Sequence, residues 1–78
     1  MAQPTLEQFA DIVDRLGLTE VETAAIVGVS PTTIRIVRMA GELPVRERCR
    51  RAIAEFVRIN KRAKRRTDLK LVDREVCV

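Results

Sequence analysis

The chain has no histidine, no tryptophan and no tyrosine, and two phenylalanines are its whole aromatic complement. Without histidine the commonest general base and metal ligand is missing. No glycine loop suited to cradling a phosphate and no convincing nucleophile and base pair stands in its place, so an enzyme is not expected, nor a cofactor. The two cysteines, Cys49 and Cys77, have no companion at metal-ligand spacing, so no metal site is expected. Cys49 falls on an apolar helical stripe as a small core residue, and Cys77 is read as an inert thiol. The lack of tryptophan and tyrosine argues against a stacking platform for single-stranded nucleic acid. The longest uncharged run, Thr23 to Ile34, is far shorter than the roughly 20 residues that span a bilayer. No basic segment followed by an apolar one opens the chain. The expectation is a cytoplasmic protein with reduced thiols and no membrane contact.

What is present is a chain of 78 residues, 46% apolar and 33% charged, the composition of one globular domain rich in helix formers. A single core of this size rarely supplies more than about 3 to 5 kcal/mol. A partner subunit or a bound nucleic acid is therefore expected to add to the working stability, and a homodimer is the expected state.

The charge is unevenly spread. Residues 1–29 carry one cation and five carboxylates, net −4; residues 30–66 carry twelve cations and three carboxylates, net +9; residues 67–78 are net −1. Only the middle region is basic enough to meet a polyanion.

Apolar periodicity and capping residues predict an all-α fold, a compact bundle of four to five helices over about 5–16, 20–27, 31–40 and 45–62. In the first, Thr5 and Gln8 have capping-box spacing and Leu6, Phe9, Ala10, Val13 and Leu16 face inward up to Gly17. Thr19 and Glu22 repeat the signature before a short helix whose inward residues are Val21, Ala24, Ala25 and Val27, ending at Gly28. Ser30 caps the third helix, with Pro31 at its first position and Gly41 past its end. The connection Gly28 to Ser30 is as tight as the turn of a helix-turn-helix. In the fourth, Val45, Cys49, Ala52, Ile53, Phe56 and Ile59 form an apolar stripe that can close the core, and the helix can run on into Lys61 to Arg66. From Thr67 the pattern fits a strand and a weak helix alike and does not choose. Residues 1–60 then form the helical domain, and residues 61–78 a basic segment and tail, a candidate dimerisation element.

A 3.6-residue period separates the third helix into two stripes. Ile34, Val37, Ala40 and Gly41 point one way, while Thr32, Arg35, Ile36 and Met39 point the other, flanked by Thr33 and Arg38. The first stripe packs. The second combines a hydroxyl, a guanidinium and two apolar groups, a mixture that reads base edges in a major groove: arginine bonds guanine O6 and N7, threonine bonds either base type, and apolar groups pack on thymine methyls.

The segment LTEVETAAIVGVSPTTIRIVRMAGELP resembles the helix-turn-helix of the lambda-repressor-like family, which includes phage repressors, Cro proteins and many small bacterial regulators. The resemblance rests on Ala24, Gly28, Val29, Ser30, Ile34 and Val37, and spans Gly17 to Phe56, about half the chain. Ala24 is small enough for two helices to cross closely, Gly28 permits a positive φ, and Ile34 fills the angle between the helices. The likeness implies a sequence-specific regulator of transcription, most simply a dimeric repressor on an inverted-repeat operator in double-stranded DNA. It places base reading at Pro31, Thr32, Arg35 and Ile36, with Thr33 and Arg38 at the groove edge and phosphate at Thr19. Met39 joins the base-reading set and Ser30 the phosphate set. Two positions depart from the pattern: Glu20 stands where many relatives carry glutamine, and a carboxylate there repels phosphate unless it turns away; Pro31 replaces a polar reader.

Between Val45 and Arg66 ten basic residues face two acidic ones, more than a solvated helix face requires. Arg46, Lys61 and Arg62 are the candidate phosphate contacts among them. Two other functions remain open from sequence. One is an antitoxin-type autoregulator whose residues 67–78 cover a partner protein. The other is an architectural protein like excisionase or MerR-type domains, which the run GELP resembles, although residues 45–59 have helical periodicity where those domains place a β wing.

Overall fold

The structure is a computed structural model that describes residues 4–72. Four α-helices follow one another, α1 Pro4–Arg15, α2 Glu20–Val27, α3 Pro31–Ala40 and α4 Glu47–Asn60, and a single 3-10 turn covers Arg66–Asp68. Among the described residues there is no strand, so the all-helical expectation holds with four helices.

The middle helix boundaries have clear causes. Thr19 Oγ1 accepts the Glu22 N–H (3.1 Å) while Glu22 Oε1 accepts the Thr19 N–H (2.9 Å), a complete capping box at the start of α2. Gly28, at φ 88 and ψ 29, ends that helix: its N–H and that of Val29 both donate to the Ala24 carbonyl, at 2.8 and 3.1 Å. A β-carbon at this φ would clash with the following carbonyl, which is why glycine stands here. Two residues later Ser30 Oγ accepts the Thr33 N–H (3.2 Å), and Pro31 opens α3 where no N–H is needed.

The helices pair as α2 with α3 and α1 with α4, and α2 also touches α4. Their shared core contains Phe9 and Ile12 of α1, Ala24 and Val27 of α2, Ile34 and Val37 of α3, and Ala52, Ile53 and Phe56 of α4. Phe9 and Phe56 meet edge to face, 5.6 Å between centroids at 73°, the arrangement that aligns ring edge with ring face. Of the expected helix-turn-helix core residues, Ala24, Ile34 and Val37 lie in this core, whereas Gly28 is exposed at the turn, where its positive φ and not burial calls for glycine.

Several expectations are corrected. Helix α1 begins at Pro4, so Thr5 lies inside its first turn and cannot serve as a cap; proline pre-sets the helical φ one residue earlier. Val21 and Ala25 face solvent, and Thr23 is buried in their stead with its hydroxyl donated to the Thr19 carbonyl (2.8 Å). That internal bond lets a polar residue occupy the inner face. Ala40 is exposed as well. Val45 is 97% exposed and precedes α4, which starts at Glu47.

The largest correction concerns the end of α4. The helix stops at Asn60 instead of running through Arg62, and residues 61–72 fold back over the helices. Asn60, fully buried, bonds both backbone groups of Lys70; Val72 N–H donates to the Ile26 carbonyl (3.0 Å). Ala63 and Val72 enter the core with Leu69 beside them. The segment from 67 that sequence left between strand and helix is thus the end of a 3-10 turn followed by irregular chain as far as Val72. Cys77, like the rest of the tail beyond Val72, lies outside the described residues.

Candidate nucleic-acid interface

Helix α3 carries its two stripes as separate surfaces. Ile34 and Val37 are each 1% exposed, whereas Ile36 is 59% and Met39 81% exposed. Pro31, Thr32, Arg35 and Arg38 are exposed too, and Thr33 is half-buried with its hydroxyl 2.9 Å from that of Ser30. Thr32, Arg35, Ile36 and Met39 therefore lie together on an outward stripe, as their spacing predicts. Large apolar groups on such a stripe are of no use to the core.

Ion pairs modify this surface. Glu20, the first residue of α2, places its carboxylate against Arg35, with Oε1 3.4 Å from Nε. Asp14 of α1 accepts from Arg38 Nη2 at 2.6 Å. Glu22, besides closing the capping box, pairs with Arg66. The Thr19 N–H, bonded to Glu22, holds that carboxyl below its ordinary value, and Arg66 adds to the effect. Thr19 and Ser30, expected on phosphate, thus use their hydroxyls as helix caps, and Arg38 is already engaged.

Several cations free of such pairing among the described residues lie at the two ends of α4. Arg46, Arg48 and Arg50 cluster at its start, and Lys61 and Arg62 follow its end; among the described residues none of the five has a carboxylate in ion-pair range. Arginines at a helix N-terminus oppose the helix dipole, so the fold itself does not favour them there. Arg46 borders a groove of about 390 Å³ shared with Thr33, Ile36 and Leu43, which brings it beside the outer face of α3. At the other end, Arg15 Nη2 donates to the Lys61 carbonyl (3.3 Å) and Arg66 reaches the start of α2. A helix of 14 residues is about 21 Å long. Two basic clusters therefore stand about that far apart, one next to α3 and one past the far end of α4, where Arg15 meets the Lys61 carbonyl.

Cys49 is half-buried against the same groove. The ion pairs of Asp14 and Glu20 were not legible from spacing, since their partners come from helices 15 to 24 residues away. The acidic excess of residues 1–29 beside a basic α3 was the available signal. Comparison of the chain with models of known families, with curated proteins and with solved structures gives no match.

Proposed function

We propose that the chain is a sequence-specific regulator that binds double-stranded DNA with α3 in the major groove. The observation that carries this reading is the division of α3: Ile34 and Val37 buried, and Thr32, Arg35, Ile36 and Met39 held outward together. A hydroxyl, a guanidinium and two apolar groups on a short stripe match the donor, acceptor and methyl pattern of base edges in that groove. The unpaired cations at both ends of α4 supply the phosphate contacts that fix register without reading sequence. Likeness to the lambda-repressor-like helix-turn-helix at Ala24, Gly28, Ile34 and Val37 supports the same function.

In this proposal two copies bind an inverted repeat, with half-sites about 34 to 36 Å apart. A chain this small acts most simply by occupying a promoter, as a repressor in the cytoplasm at the nucleoid. Selection from a library of randomised duplexes tests it, followed by affinity for the enriched and a random duplex at about 150 mM salt. The expected ratio is about 10³ or more. A ratio near one would favour a protein that coats DNA without reading it, and no duplex binding at all would end the DNA reading.

A further inference from the structure

We infer that Glu20 is a specificity filter for α3: its carboxylate holds Arg35 ready for a base edge and makes the same arginine a poor phosphate contact. This rests on the proposal that α3 enters the major groove, and it assigns the control of discrimination within that site.

The geometry divides the guanidinium. Glu20 Oε1 approaches Nε, at 3.4 Å, and this is the hydrogen bond that Arg35 makes among the described residues. The two terminal nitrogens remain available. They are the pair that can donate together to guanine O6 and N7, so the arginine can read a base end-on while Nε stays against Glu20. The carboxylate then limits the rotation of a long side chain that would otherwise sweep over the groove.

A phosphate meets a different balance. It brings a second anion toward Glu20, whereas a guanine edge brings none, and like charges at close range disfavour the contact. Arg38 is also paired with a carboxylate, that of Asp14 on α1, but through its terminal Nη2, so it does not keep both terminal nitrogens for a base edge. Both arginines of α3 are thus matched by carboxylates from other helices. Among the described residues the cations without such partners, Arg46, Arg48, Arg50, Lys61, Arg62, Lys64, Arg65 and Lys70, lie outside α3. Affinity and discrimination are assigned to different parts of the molecule.

Both side chains are exposed, 65% for Arg35 and 43% for Glu20, so the effect is moderate and screened by salt. The test compares the full chain with Glu20→Gln, Arg35→Ala and the double variant on an enriched and a random duplex at about 150 mM salt. Glu20→Gln is expected to bind the random duplex about 3- to 10-fold more tightly without gaining on the enriched one, so the ratio falls. In the Arg35→Ala background only the direct repulsion between Glu20 and phosphate is left to relieve, so that gain is expected to be smaller than with Arg35 present. Glu20→Ala, which removes the same charge, is expected to repeat the result. A random-duplex affinity unchanged by Glu20→Gln, or an equal gain with and without Arg35, would overturn the filter. A ratio near one for the unaltered chain would instead overturn the DNA-reading proposal itself, before any change at Glu20.

Discussion

Asn60 and Lys70 are joined by two hydrogen bonds: the Asn60 Nδ2 donates to the Lys70 carbonyl (3.0 Å) and Oδ1 accepts the Lys70 N–H (2.7 Å). The side chain acts as a piece of backbone, pairing with an irregular segment where no strand partner exists. Ala63, Leu69 and Val72 are thereby held on the helices. Asn60→Ala leaves both Lys70 groups without their partner, which costs about 2 to 3 kcal/mol. In a chain this short that lowers the Tm by about 10 to 20 °C. Thermal unfolding followed by circular dichroism checks it, and Asn60→Asp, which keeps the acceptor and loses the donor, is expected to be destabilised as well.

Gly28 gives a second prediction, because a β-carbon there meets nothing within 4 Å. The penalty for Gly28→Ala is therefore the left-handed backbone alone, about 1 to 2 kcal/mol. Gly28→Asn, which tolerates that region better, is expected to fall between alanine and glycine in chemical denaturation.

The hold of the tail depends on acid. Asp68 accepts the N–H groups of Lys64 and Arg65, which keep its carboxyl below the ordinary 3.8. A carboxylate with a lowered folded value stabilises fully above its unfolded value and stops doing so as pH falls through the folded one. Amide exchange at Lys70 and Val72 is expected to quicken, relative to a pH-corrected reference, as pH drops from about 5 to about 3. Asp68→Asn removes its own share of that dependence and leaves the share of Glu22, whose carboxyl is lowered through Thr19 and Arg66.

Lys61 and Arg62 test the assignment of phosphate contacts. Replacing both by glutamine is expected to make the slope of log affinity against log salt shallower by about 0.9 for each phosphate that the pair neutralises. An unchanged slope would remove them from the interface and leave Arg46, Arg48 and Arg50 as its basic component.

The parts of this structure legible in the sequence are those decided within a few residues. The Thr19 and Glu22 capping box, the Ser30 cap with Pro31, the glycines at 28 and 41 and the two stripes of α3 all lie where local chemistry puts them. Thr23 and Val21 exchanged places because a threonine hydroxyl found a carbonyl one turn back, which apolar periodicity cannot register. The tail was illegible because one buried side chain, Asn60, decides its course through a partner ten residues away. On the candidate interface the outward set was legible in full. Its pairing was not: Glu20 with Arg35 and Asp14 with Arg38 depend on how three helices are brought together.

The most direct test of DNA reading by α3 is the affinity of Arg35→Ala for an enriched and for a random duplex at one salt concentration. Each good bidentate contact discriminates by about 1 to 3 kcal/mol, about 5- to 150-fold. The variant is expected to lose affinity on the enriched duplex by that factor beyond whatever it loses on the random one, because the charge left on Glu20 acts on both duplexes alike and the base contact on the enriched one alone. Full discrimination retained by Arg35→Ala would contradict the account and place base reading on another surface.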